Sequence, residues 1–207
     1  MGYPEGYKLF DPGSPMSKEP DGSWRVGDKA DDEEDNNNED QVRMKVGTPA
    51  GEPQWKNVEM TGYVKVLQAD SPTDHVDWYA RDGRHTRSAP CEGSALKGWI
   101  AVDGTVSWIK EIWHVGGYTN SRDRHKATDS ILNRWIGWKV IMYNIDNDKA
   151  LKMESYIDDN DNNNWRKVTE IIDNGRWFSR SSDEEFYSAD CGRPRDCDNK
   201  FWSYGNV

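Results

Sequence analysis

The 207 residues contain no apolar run near the roughly 20 that a membrane-crossing helix requires, so no such span is expected. The chain opens without a basic segment followed by an apolar one, and no secretion signal is read there. It lacks G-x-G-x-x-G, G-x-x-x-x-G-K-[ST] and G-x-S-x-G, which removes the motif basis for dinucleotide, P-loop and serine-hydrolase readings. No internal repeat is found. Cysteine is scarce, with Cys91, Cys191 and Cys197 only, and no C-x-x-C supports a zinc site of ordinary spacing. An odd count leaves one thiol free or bonded to another molecule. Cys191 and Cys197 flank a short loop and could close a ring, which would suit an oxidising compartment. Three unpaired thiols are the competing reading.

Positive charge is also in deficit: 27 Lys and Arg against 37 Asp and Glu give a net charge of -10. Phosphate is repelled by such a surface, so a general nucleic-acid partner is not expected. Seven of the acids lie in the run DDEEDNNNED at 31–40, and without them the balance is only -3. That run reads as a solvated loop, with a bound cation as the sharper alternative. Aliphatic side chains are few, but 11 Trp, 9 Tyr and 4 Phe are present. Each large ring buries about 150–250 Å², so one sizeable domain can build a core.

Residues 1–50 are rich in Gly, Pro and acids and read as an irregular N-terminal segment. From 51 to 207 the pattern is that of one β domain. Over 55–68, Val58, Met60, Gly62, Val64 and Val66 alternate with Asn57, Glu59, Thr61, Tyr63 and Lys65. A period of two marks a half-buried strand. The same period recurs at 75–81, 96–102 and 151–158, and 165–172 reads as another strand, while 135–144 is apolar on both faces and 105–115 is rich in Val, Ile and Trp. Asp82-Gly83, Asp103-Gly104 and Asn174-Gly175 are hairpin signals. Thr128-Asp129-Ser130 could cap a single helical turn. Seven or eight strands joined by tight turns, with no long amphipathic helix, predict an all-β antiparallel sandwich or barrel with few short helices.

Three constellations carry chemistry. If the strands at 55–68 and 75–81 pair, Glu59, Thr61 and Tyr63 share a surface with Asp77, Tyr79 and Arg81. Rings interleaved with charged and hydroxyl groups suit a sugar, and an ordinary solvated sheet face is the alternative. In 108–118, Trp108, Lys110, Ile112 and His114 fall on one strand face, with Tyr118 nearby and Arg81, Arg84 and His85 as further candidates. A cation, an imidazole and a phenol are the components of β-elimination on a uronic acid: the cation neutralises the carboxylate, and His or Tyr moves the protons. The rival reading makes Lys110-Glu111 a surface pair and His114 a satisfied polar group. In 158–164, Asp159, Asp161 and Asn163 have partial calcium-loop spacing. The missing glycine and the strand flanks argue against an EF-hand, and a hairpin turn is the default. Glycoside hydrolysis, which needs two carboxylates, ranks below elimination, with Glu59, Glu92, Glu111 and Glu154 isolated.

The segments WKNVEMTGYVKV at 55–66, DWYAR at 77–81, WIGWKVIM at 135–142, MESYIDD at 153–159 and WRKV at 165–168 resemble the concanavalin A-like lectin/glucanase jelly-roll superfamily. The resemblance spans roughly 50–175 and is similar, among enzymes, to polysaccharide lyases of alginate- and glucuronan-lyase type. It implies an antiparallel jelly-roll β-sandwich, an extracellular or cell-surface location, and a polysaccharide partner. Arg81, His114 and Tyr118 match catalytic roles of such lyases, although Arg-Ser/Thr-Glu-Leu, Gln-Ile-His and Tyr-Phe-Lys-Ala-Gly motifs are absent. The resulting expectation is a lyase using His114 and Tyr118, with Arg81 and Lys110 holding the carboxylate. Glu59, Tyr63, Tyr79, His85, Trp99 and Trp108 would bind sugar, no cofactor would be required, and Asp159, Asp161 and Asn163 could hold a structural calcium. The alternatives are a non-catalytic carbohydrate-binding module and a structural surface or filament subunit, which would form a homo-oligomer.

Overall fold

A computed structural model describes residues 8–10, 16–26, 45–47, 55–81, 91, 95–113, 117–174 and 177. The chain divides into two compact units, Met1–Trp55 and Lys56–Val207. In the first unit, strand β1 (Lys8–Phe10) pairs antiparallel with β4 (Lys45–Gly47), and β2 (Met16–Lys18) pairs antiparallel with β3 (Trp24–Val26). Asp21 closes the β2–β3 turn by accepting the Ser23 N–H at 2.9 Å.

Among its described residues the second unit has nine strands: β5 (Val58–Val64), β6 (His75–Ala80), β7 (Ala95–Ala101), β8 (Thr105–Trp113), β9 (Gly117–Tyr118), β10 (Arg122–Lys126), β11 (Ile136–Ile145), β12 (Ala150–Asp158) and β13 (Arg166–Asp173). They form two antiparallel sheets. One has the order β10-β8-β7-β6 with β9 added to β8, and the other β13-β12-β11-β5. The described residues contain no helix, so the fold is all-β and has the character of a β-sandwich. The helical turn expected at 128–130 is replaced by a bend. There the Ser130 hydroxyl and the Ile131 N–H both donate to the Val102 carbonyl, at 2.8 and 2.9 Å. Those donors therefore serve the β7–β8 hairpin rather than a helical turn.

The condition that the strands at 55–68 and 75–81 pair in one sheet is not met. β5 pairs with β11, Met60 opposite Val140, whereas β6 pairs with β7, Trp78 opposite Gly98. The two segments lie in different sheets, so Glu59 and Tyr63 do not share a surface with Asp77 and Tyr79.

Large rings fill the space between the sheets. Trp108 and Trp138 are 0% and 1% exposed, so indole area replaces missing aliphatic volume. Gly98 makes room for this. A Cβ there would lie 2.7 Å from the Trp108 ring and 3.0 Å from Val140 of the opposite sheet. Buried polar groups need partners, and several here find them across the sandwich. Trp78 Nε1 donates to the Trp138 carbonyl at 2.9 Å, and Trp108 Nε1 donates to Thr169 Oγ1 at 3.0 Å. Arg81 donates to Asn144 Oδ1 at 2.6 Å, and Lys110 is ion-paired with Asp173.

The β7–β8 hairpin turns at Asp103-Gly104, as its dipeptide predicts. Asp103 Oδ1 accepts the Thr105 N–H at 2.8 Å, and Gly104 has φ +89°. A Cβ at Gly104 would collide with the Thr128 carbonyl. Gly104→Ala therefore combines left-handed strain with backbone overlap and is expected to cost about 3 kcal/mol, read as a lower urea midpoint. A loss below about 1 kcal/mol would contradict the turn geometry.

Candidate functional site

The outer face of the β10-β8-β7-β6 sheet gathers titratable groups and rings. Period-two alternation sends Leu96, Gly98 and Ile100 inward and Lys97 and Trp99 outward. The register places Tyr79 opposite Lys97, and Glu111 opposite both Ala95 and Tyr118. β9 is held against β8 by the Thr119 N–H donating to the Lys110 carbonyl at 2.9 Å, and by the Lys110 N–H donating to Thr119 Oγ1 at 3.2 Å. A register shift in β8 between Glu111 and Trp113 accompanies this pairing. The result brings Tyr118 beside Lys97.

Lys97 Nζ donates to the Tyr118 hydroxyl at 2.9 Å and pairs with Glu111 Oε2 at 3.0 Å. It also lies 4.6 Å from the Tyr118 ring centroid and 5.9 Å from that of Tyr79. The Lys97 and Glu111 side chains are only 11% and 7% exposed, while Tyr118 is 37% exposed. Burial alone would lower the Lys97 pKa, but the Tyr118 hydroxyl and the Glu111 carboxylate outweigh it and hold the value above normal. A phenol, a retained cation and a carboxylate thus share one charge-assisted network. Such a group can bind an anionic sugar and move a proton.

Trp99 flanks this network, but its ring is covered by side chains. His75 lies at 5.1 Å between ring centroids and Arg124 at 5.6 Å from the indole, and Trp99 is 7% exposed. It supports the face rather than offering a bare stacking platform.

Other expected site residues stand elsewhere. Trp108, Lys110 and Ile112 do share a strand face, but it is the inner one. Trp108 is core, and Lys110 is 2% exposed and committed to Asp173. Arg81, at φ 58°, donates to the Lys56 carbonyl at 2.5 Å as well as to Asn144. Burial pushes its pKa down to about 10, against the opposing pull of Asp148 and Asp173. Arg81 and Lys110 are therefore links between the sheets, not a carboxylate clamp beside Tyr118. His114 and His85 lie outside the described residues, as do Cys191 and Cys197; Cys91 is disulfide-bonded.

Glu59 and Tyr63 belong to the outer face of the other sheet. Glu59 pairs with Lys139 at 3.0 Å, and Tyr63 donates to Asp158 Oδ2 at 2.9 Å. Asp158 organises the turn expected at 158–164 by accepting the backbone N–H groups of Asn160, Asn162 and Asn163 at 3.2, 2.9 and 2.7 Å. The metal expectation is not supported by this arrangement. Asp159 accepts from Thr128, Arg134 and Arg166, and Asn163 Oδ1 accepts from the Tyr63 hydroxyl at 3.3 Å. Asp161 has φ 52°. Among the described residues no group of three or more His, Cys, Asp or Glu side chains is placed to hold a metal ion.

That second outer face also carries a charge ladder. Glu170 pairs with Lys167 at 2.6 Å and Lys152 at 3.1 Å, and its pKa falls to about 2, led by the hydrogen bond from Lys167. A depressed folded-state value stabilises the fold above the ordinary 4.5, and that contribution disappears as pH drops towards 2. A carboxyl NMR titration of Glu170 is expected to give a midpoint near 2. A midpoint at the ordinary 4.5 would show the ladder absent in solution.

Lys97 is the functional candidate that sequence reasoning missed, and Glu111 is one it placed in a different role. Lys97 carried a usable signal, since it alternates with Trp99 on the outward parity of its strand. The sequence offers Glu111 as an isolated carboxylate or, in the rival reading, as the surface partner of its chain neighbour Lys110, which faces the other way. No protein-family model, curated protein or solved structure matches this chain.

Proposed function

We propose that the second unit is a concanavalin A-like jelly roll acting on an extracellular polysaccharide, as a β-eliminating lyase on a uronic-acid polymer. The observation that supports this most directly is the Tyr118–Lys97–Glu111 network on an outer sheet face. In the reaction, the Tyr118 oxygen, as phenolate, takes the C5 proton. The C5 electron pair forms the C4–C5 double bond, and the C4–O4 bond breaks. Tyr118 then returns the proton to O4. The Lys97 ammonium offsets the negative charge that develops on the uronate during C5 deprotonation. The cation expected from Arg81 and Lys110 is thus supplied by Lys97. The disulfide at Cys91 favours an oxidising compartment. No cofactor is needed for this chemistry.

A second reading, a carbohydrate-binding module without chemistry, draws on the Lys97–Glu111 pair. Its mutual neutralisation suits hydroxyl recognition on an uncharged sugar. The full chain incubated with alginate, polygalacturonate and polyglucuronate should release an unsaturated product that absorbs in the ultraviolet. Retained affinity with no product on any polymer would replace the lyase by the binding module.

A further inference from the structure

We propose that edge strand β10 is a docking track for a polyanionic stretch of that glycan, one with carboxylate or sulfate on successive sugars; this rests on the function proposed above. The strand reads Arg-Asp-Arg-His-Lys, and a register shift between Arg122 and His125 decides where these side chains go. Asp123 takes φ 51°, and its carboxylate accepts from the Thr169 hydroxyl of β13. His125 Nε2 lies 3.0 Å from the Val168 carbonyl of the same strand. The strand's single acid and its imidazole are thus tied to the opposite sheet. Arg124 and Lys126 are left exposed on the outer side, about 6.6 Å apart along the strand.

Arg124 reaches over Ser107, which is fully buried, to lie on the Trp99 ring. Trp99 is two residues from Lys97 on the same face, so the cations run from the sheet edge to the Tyr118 network. A carboxylate already present reports the field there. Burial would raise the Asp103 pKa, but the Thr105 N–H and the charges of Lys126 and Arg124 bring it below normal. On a chain of net charge -10, a polyanion is repelled by most of the surface and drawn to a cationic edge.

The test measures binding of the full chain to polygalacturonate and alginate across a salt series. A neutral β-glucan and duplex DNA serve as comparison probes. Arg124→Ala/Lys126→Ala is expected to weaken polyuronate binding about tenfold at low salt. The gap should close near 1 M salt, where the screening length is about 3 Å. Lys18→Ala/Arg25→Ala removes the same charge from exposed positions of the first unit and should bind within about twofold of the parent. Loss in this control equal to the β10 loss would make the effect one of net charge and overturn the track. Equal polyuronate binding by parent and β10 variant, with product still formed by the parent, overturns the track and leaves the lyase standing. A parent that neither binds nor cleaves any polymer overturns both. DNA bound as tightly as polyuronate makes the edge a general polyanion site and overturns the glycan assignment.

Discussion

Replacing Tyr118 by phenylalanine is expected to cut product formation from a uronic-acid polymer by about 10²- to 10⁴-fold, with affinity for the polymer retained. The substitution removes one oxygen and keeps the ring, which lies 4.6 Å from the Lys97 ammonium and can still stack. What vanishes is the only atom of that residue able to carry a proton between C5 and O4. Initial rates and equilibrium binding, measured separately, distinguish this from a collapsed face, which would lose both together. The pH profile adds a second check. Because Glu111 and Tyr118 hold the Lys97 pKa above its ordinary 10.5, the ammonium persists through neutral and mildly alkaline conditions. A rate loss traced to Lys97 below 10.5 would contradict the network, and Tyr118→Phe at parental rates would remove Tyr118 from the reaction.

Lys110→Met is expected to destabilise the second unit by about 3–5 kcal/mol. Asp173 is fully buried, and the substitution leaves its carboxylate without the ammonium that faces it across the sandwich. Replacing both partners should recover most of the loss. Lys110 stands opposite Leu96, and Asp173 stands opposite Leu151, so Lys110→Met/Asp173→Leu extends an existing apolar layer. Urea unfolding should show a reduced midpoint for the single variant and a restored one for the double. A single-variant loss below about 1 kcal/mol would mean that the pair is solvated rather than buried.

Much of the fold is visible in the residue pattern. Alternation marks β6, β7 and β12 within one residue of their observed ends but overruns β5 by three or four residues at each end; the strand read at 165–172 is β13 shifted by one, and Asp103-Gly104 marks the hairpin. Partner choice is not visible in the same way. Strand periodicity says which residues share a face but nothing about which strand lies alongside. β5 finds its neighbour in β11, more than 70 residues later, rather than in β6. Facing is equally underdetermined for β8. Trp108, Lys110 and Ile112 share one side as expected, but a lysine there argues for the solvent side until Asp173 is known to await it. For the candidate site, Tyr79 and Trp99 are legible as rings on the outward parity of their strands, and Tyr118 only as a phenol near the strand at 108–114. The Lys97–Glu111 pair is not legible, because its members lie 14 positions apart on two strands and meet only through register.

The indole N–H groups that cross the sandwich have a mechanical consequence. Trp78 is bonded to a backbone carbonyl, and Trp108 to a threonine hydroxyl, of the opposite layer. A slip of one layer past the other by a single residue would break both bonds and drive each ring into a neighbour's volume. The layers are pinned against shear, so the spacing of groups along either outer surface is that of a fixed ruler. A long chain drawn across that surface under tension meets the same intervals at every pass.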